Sequence, residues 1–148
     1  MGSLSYINQS KNSLDFNKRW PAAKRLSDLS ADICTMQLEG GRYFLAEHPE
    51  RSRQWALPKW KTLLSKKEIL KVKGDQCEFG LVCPEGHPVQ KRTCFVANSL
   101  LLVRPLGRFC KGRHKLKHRV IEGSVKGHLM SKWCQRSVSY THLTLPTN

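Results

Sequence analysis

Two carboxylates and a scatter of cysteines and histidines are the residues of this 148-residue chain best suited to chemistry. Glu47, in Glu47-His48-Pro49, and Asp75, in Gly74-Asp75, each fall near the expected C-terminal end of a short strand. In open α/β sheets ligands bind at that edge, so both are candidate catalytic residues. A capping or turn role is the structural alternative for each. Sulfur and imidazole fall into two groups: Cys77, Cys83 and His87, then Cys110, His114 and His118. A structural zinc takes close pairs, with roughly two to four residues between paired cysteines. Five residues separate Cys77 from Cys83, and the Cys110–His114 pair, with three between, has no obvious partner pair. The spacing therefore predicts no bound metal. Were one found, Cys77, Cys83, Cys110 and His114 would be the ligands to test. Otherwise Cys77 and Cys94 read as buried strand residues. There is no phosphate loop, no glycine triplet after a strand, no nucleophile elbow and no zinc-protease helix motif.

The elements that must position these residues alternate. Residues 20–38 have helical periodicity, with Leu26, Leu29, Ile33 and Met36 on one face. Pro21 suits a first helical turn, and Gly40-Gly41 suits its end. Residues 42–46 read as a strand stopped by Pro49. Residues 50–67 hold two short helical pieces broken at Pro58. Residues 69–72 read as a second strand, with Gly74-Asp75 turning the chain. Residues 77–82 and 93–97 are expected to form a hairpin with Pro84-Glu85-Gly86 at its tip. Asn98 or Ser99 caps a helix to about residue 106. Alternation of this kind predicts an α/β layered fold.

Charge narrows the partner. Lys and Arg number 26 against 11 Asp and Glu, a net +15, while 39% of residues are hydrophobic. A folded chain with that excess matches a polyanion, because bound phosphates release counterions when Lys and Arg replace them. Lys59, Lys61, Lys66, Lys67, Arg108, Lys111, Arg113, Lys115, Lys117 and Arg119 are the basic candidates, with Trp55, Trp60 and Phe109 available to stack on bases. No apolar run approaches a membrane span and no secretory leader is legible, so the six cysteines read as reduced thiols in an intracellular setting, the nucleus included.

Taken in order, Gln37, Gly41-Arg42-Tyr43-Phe44-Leu45, Glu47-His48-Pro49, Trp55, Pro58, Asp75-Gln76-Cys77, Phe79-Gly80, Lys91-Arg92-Thr93, Asn98-Ser99 and Cys110-Lys111-Gly112-Arg113-His114 resemble a conserved block of retroelement polyproteins, notably those of dinoflagellate algae. The block is more distantly similar to the later half of DNA methyltransferase-like Rossmann domains. The resemblance spans residues 20–123 and is most specific in GRYFLAEHP and GDQCEFG. It implies a partial Rossmann-like, methyltransferase-like α/β domain over residues 19–136, truncated and inactive by itself. Glu47 would be its general acid, Asp75 would hold a turn at the same edge, and Lys91, Arg92 and His114 would meet phosphate or a flipped nucleotide. S-adenosylmethionine is expected for a complete relative and no cofactor for this chain, because no glycine loop precedes Trp20. Arg92 stands where the block has proline, and Leu116 where it has a second histidine. Residues 1–18 read as a loop. Residues 137–148, SVSYTHLTLPTN, resemble a translated sequencing-adaptor tail. The alternative to the methyltransferase-like reading is a non-catalytic basic nucleic-acid-binding module, metal-stabilised or not.

Overall fold

The computed structural model describes residues 13–135. The adaptor-like segment and residues 1–12 lie outside the described residues. Helix α1 spans Ser13–Glu39. Residues 13–18, expected as loop, are thus helical, and Pro21 sits beyond the second turn rather than in the first. Its exposure on the solvent side lets the helix continue past a missing N–H donor. Gly41, at φ +65°, ends the helix as a left-handed cap. Its N–H donates to the Leu38 carbonyl and that of Arg42 to the Gln37 carbonyl, closing the last turn.

The face of α1 that carries the large apolar side chains is not the face it buries. Leu26, Leu29, Ile33 and Met36 are all about half exposed or more, Met36 at 63%. The helix instead buries Ser27, Ala31 and Cys34. Small residues at these steps let the backbone approach the Trp60 indole, whose Nε1 donates to the Ser27 carbonyl and hydroxyl, each at 3.0 Å. Leu26, Leu29 and Ile33 are left lining an open groove of about 580 Å³ beside residues 43–48.

Strand β1 is Leu45–Pro49, β2 is Leu70–Asp75 and β3 is Arg92–Ala97. They form one sheet in the order β1-β3-β2, antiparallel in both pairs. The fold is mixed α/β. A Rossmann-like layer is built on parallel neighbours, whereas every sheet pair among the described residues is antiparallel. Central β3 buries Thr93, Cys94, Phe95, Val96 and Ala97, the continuous run of a strand covered on both faces. Cys94 and Val96 join Ala31, Cys34, Phe44, Trp55, Leu57, Trp60 and Leu63 in the main core. Between β1 and β2 run a 3₁₀ turn, Arg53–Ala56, and helix α2, Pro58–Leu64, broken at Pro58 as expected. Helix α3, Leu100–Val103, starts after Ser99 and tightens into a 3₁₀ turn, Arg104–Leu106. This segment packs on β2 so closely that a Cβ at Gly74 would overlap the Leu106 carbonyl.

The expected 77–82/93–97 hairpin does not form, because β3 is already flanked by β1 and β2. Pro84-Glu85-Gly86 nevertheless tips a smaller turn, held by Cys83 N–H to the His87 carbonyl and Val89 N–H to the Leu81 carbonyl. Leu81, Cys83 and Val89 there make a second core with Val125, Met130 and Cys134. Val125 belongs to a two-stranded ribbon, β4 (Ser124–Val125) with β5 (His128–Leu129), Met130 opens helix α4, Met130–Trp133, and Cys134 caps its end. No described helix is long and apolar enough to cross a membrane.

One strand residue gives the fold a pH dependence. His48 on β1 meets the Trp55 ring edge-on at 6.2 Å, and its Nδ1 is buried without a hydrogen-bond partner. Burial, with the nearby Lys91 charge, pushes its imidazole from 6.5 down to about 4. The unfolded chain therefore binds the extra proton first as pH falls. The neutral ring's contribution is complete above pH 6.5, declines between 6.5 and about 4, and is gone below. A shift of that size corresponds to about 3 kcal/mol. Urea unfolding should show this loss across the window in the wild type and a flatter profile in His48→Gln. An identical slope in the variant would move the effect to another group.

Candidate metal centre and its basic loop

The end of β2 builds the site. After Asp75 the chain enters a 3₁₀ turn, Gln76–Phe79, closed by Gly80 at φ +87°, whose N–H reaches the Cys77 carbonyl. Phe79 packs edge-on against Phe95 at 6.1 Å, which fixes the turn on the sheet. Cys77 is thereby held buried at the sheet's end.

Opposite it, residues 107–121 contain no helix or strand. They are tied to the rest of the fold mainly by polar contacts: Asp75 N–H donates to the Arg108 carbonyl at 2.8 Å, His87 Nδ1 lies 3.1 Å from the Lys117 carbonyl, and only Ile121, at the end, packs on the second core. Cys110 N–H donates to Asp75 Oδ2 at 2.9 Å, and Arg119 N–H donates to the Pro88 carbonyl at 2.9 Å. Along residues 107–120 only Cys110, His114 and His118 turn inward; every other position is exposed. Cys110 Sγ lies 3.2 Å from His114 Nε2 and 3.4 Å from His118 Nε2. Gly112 N–H points at the same sulfur from 3.3 Å. With Cys77 the ligand atoms all lie within 4.8 Å of one another, a group able to hold a metal ion. Burial, with the Cys110 thiol beside it, pushes the Cys77 thiol up to about 12. Glu78 Oε1 stands 3.5 Å from His114 Nε2.

Sequence spacing missed this group. Cys83, one of the four ligands to test, belongs instead to the second core, and His118 takes its place. The available signal was the four-residue step Cys110, His114, His118 inside a run of cations.

Asp75 is fully buried. Arg92 clamps it with Nε and Nη2 at 2.9 and 3.0 Å, Gln90 donates at 3.3 Å, and Cys110 N–H completes the set. Burial alone would raise this carboxyl, but the donors outweigh it and hold it below its usual range. That is the environment of a structural carboxylate; a proton donor near neutral pH needs the opposite shift. Glu47 is exposed and sits in the middle of β1, opposite Phe95, rather than past the strand's end, and accepts from Gln76 Nε2 at 3.0 Å. The same Gln76 nitrogen reaches Thr93 Oγ1 at 2.9 Å.

The basic candidates divide. Arg108, Lys111, Arg113, Lys115, Lys117 and Arg119 are exposed on the loop. Lys91 donates to the Cys134 carbonyl, and Arg92, tied to Asp75, lies over the Phe109 ring at 5.3 Å. Lys59 pairs with Asp32 at 2.6 Å. Trp55 and Trp60 are core residues, 9% and 0% exposed, and so cannot stack on bases as expected; Phe109, at 52%, can. Comparison with family models, curated proteins and solved structures finds no match to this chain.

Proposed function

We propose that this chain is a basic nucleic-acid-binding module whose contact surface is the loop of residues 107–121. One observation carries the reading: six cations and no carboxylate fall within those residues, and all six are exposed. Like charges concentrated on an ordered loop repel one another, and a polyanion relieves that repulsion while releasing its own counterions. Exposed Phe109 adds one stacking face, which favours single strands or frayed ends. The methyltransferase-like reading shares this partner but draws no support from an antiparallel sheet. It rests on the resemblance, and calorimetric uptake of S-adenosylmethionine by a longer relative that carries a glycine loop would be its test.

Titration of a fluorescent oligonucleotide at several salt concentrations checks the proposal. With four to six phosphate contacts, the log–log slope should be roughly −4 to −5 on duplex and about −3 to −4 on a single strand. Lys115→Gln with Lys117→Gln should lower its magnitude by about 2 on duplex. A slope near zero, or one unmoved by the double substitution, would exclude the loop as the interface.

A further inference from the structure

We infer that Cys77, Cys110, His114 and His118 form a tetrahedral zinc(II) site that fastens the basic loop to the end of the sheet. The donor set comes first. Two thiols and two imidazoles match the composition of a closed structural zinc centre, in which all four positions are filled by protein. Tetrahedral S₂N₂ surroundings select zinc over the harder cations that take oxygen ligands.

The geometry agrees. Zinc–sulfur and zinc–nitrogen bonds of about 2.3 and 2.0–2.1 Å place tetrahedral ligand atoms about 3.3–3.8 Å apart. Cys110 Sγ lies 3.2 and 3.4 Å from the two Nε2 atoms, and the whole group fits within 4.8 Å. Both histidines present the same nitrogen to that sulfur, with their rings nearly perpendicular, at 83°. Gly112 N–H, aimed at Cys110 Sγ, supplies the outer hydrogen bond that a metal-bound thiolate accepts.

The loop supplies an independent reason. Phe109, Leu116 and Val120 are 52%, 47% and 67% exposed, so no apolar side chain anchors residues 107–120, and Ile121 packs on the second core only at the far end. Ordering its backbone costs on the order of 1–2 kcal/mol per residue. A few polar contacts to Asp75, His87 and Pro88 do not offset that, and six like charges add to the cost. One cation gripping the three inward side chains and Cys77 closes the loop on a rigid turn. Binding exchanges the thiol protons of Cys77 and Cys110 for the metal, so about two protons leave per zinc bound.

Elemental analysis of the full-length chain, purified without chelator and without nucleic acid, should find close to one zinc per chain. Cobalt(II) added to the stripped chain should give the visible bands of a tetrahedral site together with thiolate-to-cobalt charge transfer. Cys110→Ser and His118→Asn should each abolish stoichiometric zinc, while His128→Gln, on the exposed ribbon, should keep it. Should the ligand variants fail to fold, trypsin digestion of the wild type decides the matter. The zinc-loaded chain should resist cutting between residues 111 and 119, and the stripped chain should be cut there at least ten times faster. A folded chain that takes up neither zinc nor cobalt, a cobalt spectrum without thiolate charge transfer, or equal cutting with and without zinc would overturn the proposal. None of these readouts involves nucleic acid, so zinc uptake without oligonucleotide binding would leave the site standing and remove only the functional reading.

Discussion

Trp60→Ala should cost about 3–5 kcal/mol of stability, the largest loss expected from any single apolar truncation in the main core. The side chain is fully buried, meets the Trp55 ring edge-on at 5.1 Å, and donates its indole N–H to Ser27 on α1. Removing it opens a cavity and orphans the contact that seats α1 on α2. Trp60→Phe should cost less, about 1–3 kcal/mol, since it keeps most of the ring but leaves the Ser27 carbonyl and hydroxyl without this donor. The matching control lies on the facing helix, α1. Leu29 is 54% exposed, so Leu29→Ala should cost under about 1 kcal/mol. Urea midpoints at constant m-value measure all three. A large loss at Leu29 with a small one at Trp60 would mean that α1 packs through its leucine stripe instead.

That pair of substitutions also marks where the sequence stops being readable. Gly40-Gly41, Pro58, the turn at Pro84-Glu85-Gly86 and the buried run of β3 are legible because each is a local constraint: a left-handed φ, a fixed φ without a donor, a tight turn, an unbroken apolar strand. Periodicity likewise establishes that residues 20–38 are helical, but not which side is buried. Leu26, Leu29, Ile33 and Met36 form the more hydrophobic face, yet two tryptophans from the next elements need close approach, and only the Ser27-Ala31-Cys34 side permits it. The same tryptophans, placed among lysines in sequence, read as base-stacking residues; their burial depends on contacts more than twenty residues away. The Cys/His group is non-local in the same sense. Cys77 arrives from the sheet, and its nearest cysteine in sequence, Cys83, goes to the other core. Cys110, His114 and His118 stand at four-residue steps in the sequence, but without Cys77 they make no pair of pairs.

Asp75→Asn should destabilise the chain by about 2–4 kcal/mol and loosen the basic loop before the rest of the fold. The carboxylate is the point at which β2, β3 and the loop meet, since Asp75 pairs with Arg92 in register and also receives the Cys110 N–H. Hydrogen bonds to a charged group contribute about 1.5–3 kcal/mol each, and a buried donor left unpaired costs its full desolvation. An asparagine keeps the shape but offers one acceptor oxygen where four donor contacts converge, and it turns an NH₂ toward at least one of them. Arg92, at 42% side-chain exposure, can rehydrate when released, which keeps the loss below that of a fully buried broken pair. The Cys110 amide loses its acceptor on Asp75. Its hydrogen-exchange protection should therefore fall by a larger factor than that of Phe95 or Val96 in the central strand. Prior removal of the guanidinium by Arg92→Met should reduce the effect of Asp75→Asn, with a coupling energy of about 1–2 kcal/mol in the double-mutant cycle. Additive losses, or a Cys110 amide that stays as protected as the strand, would show that the loop is held without this carboxylate.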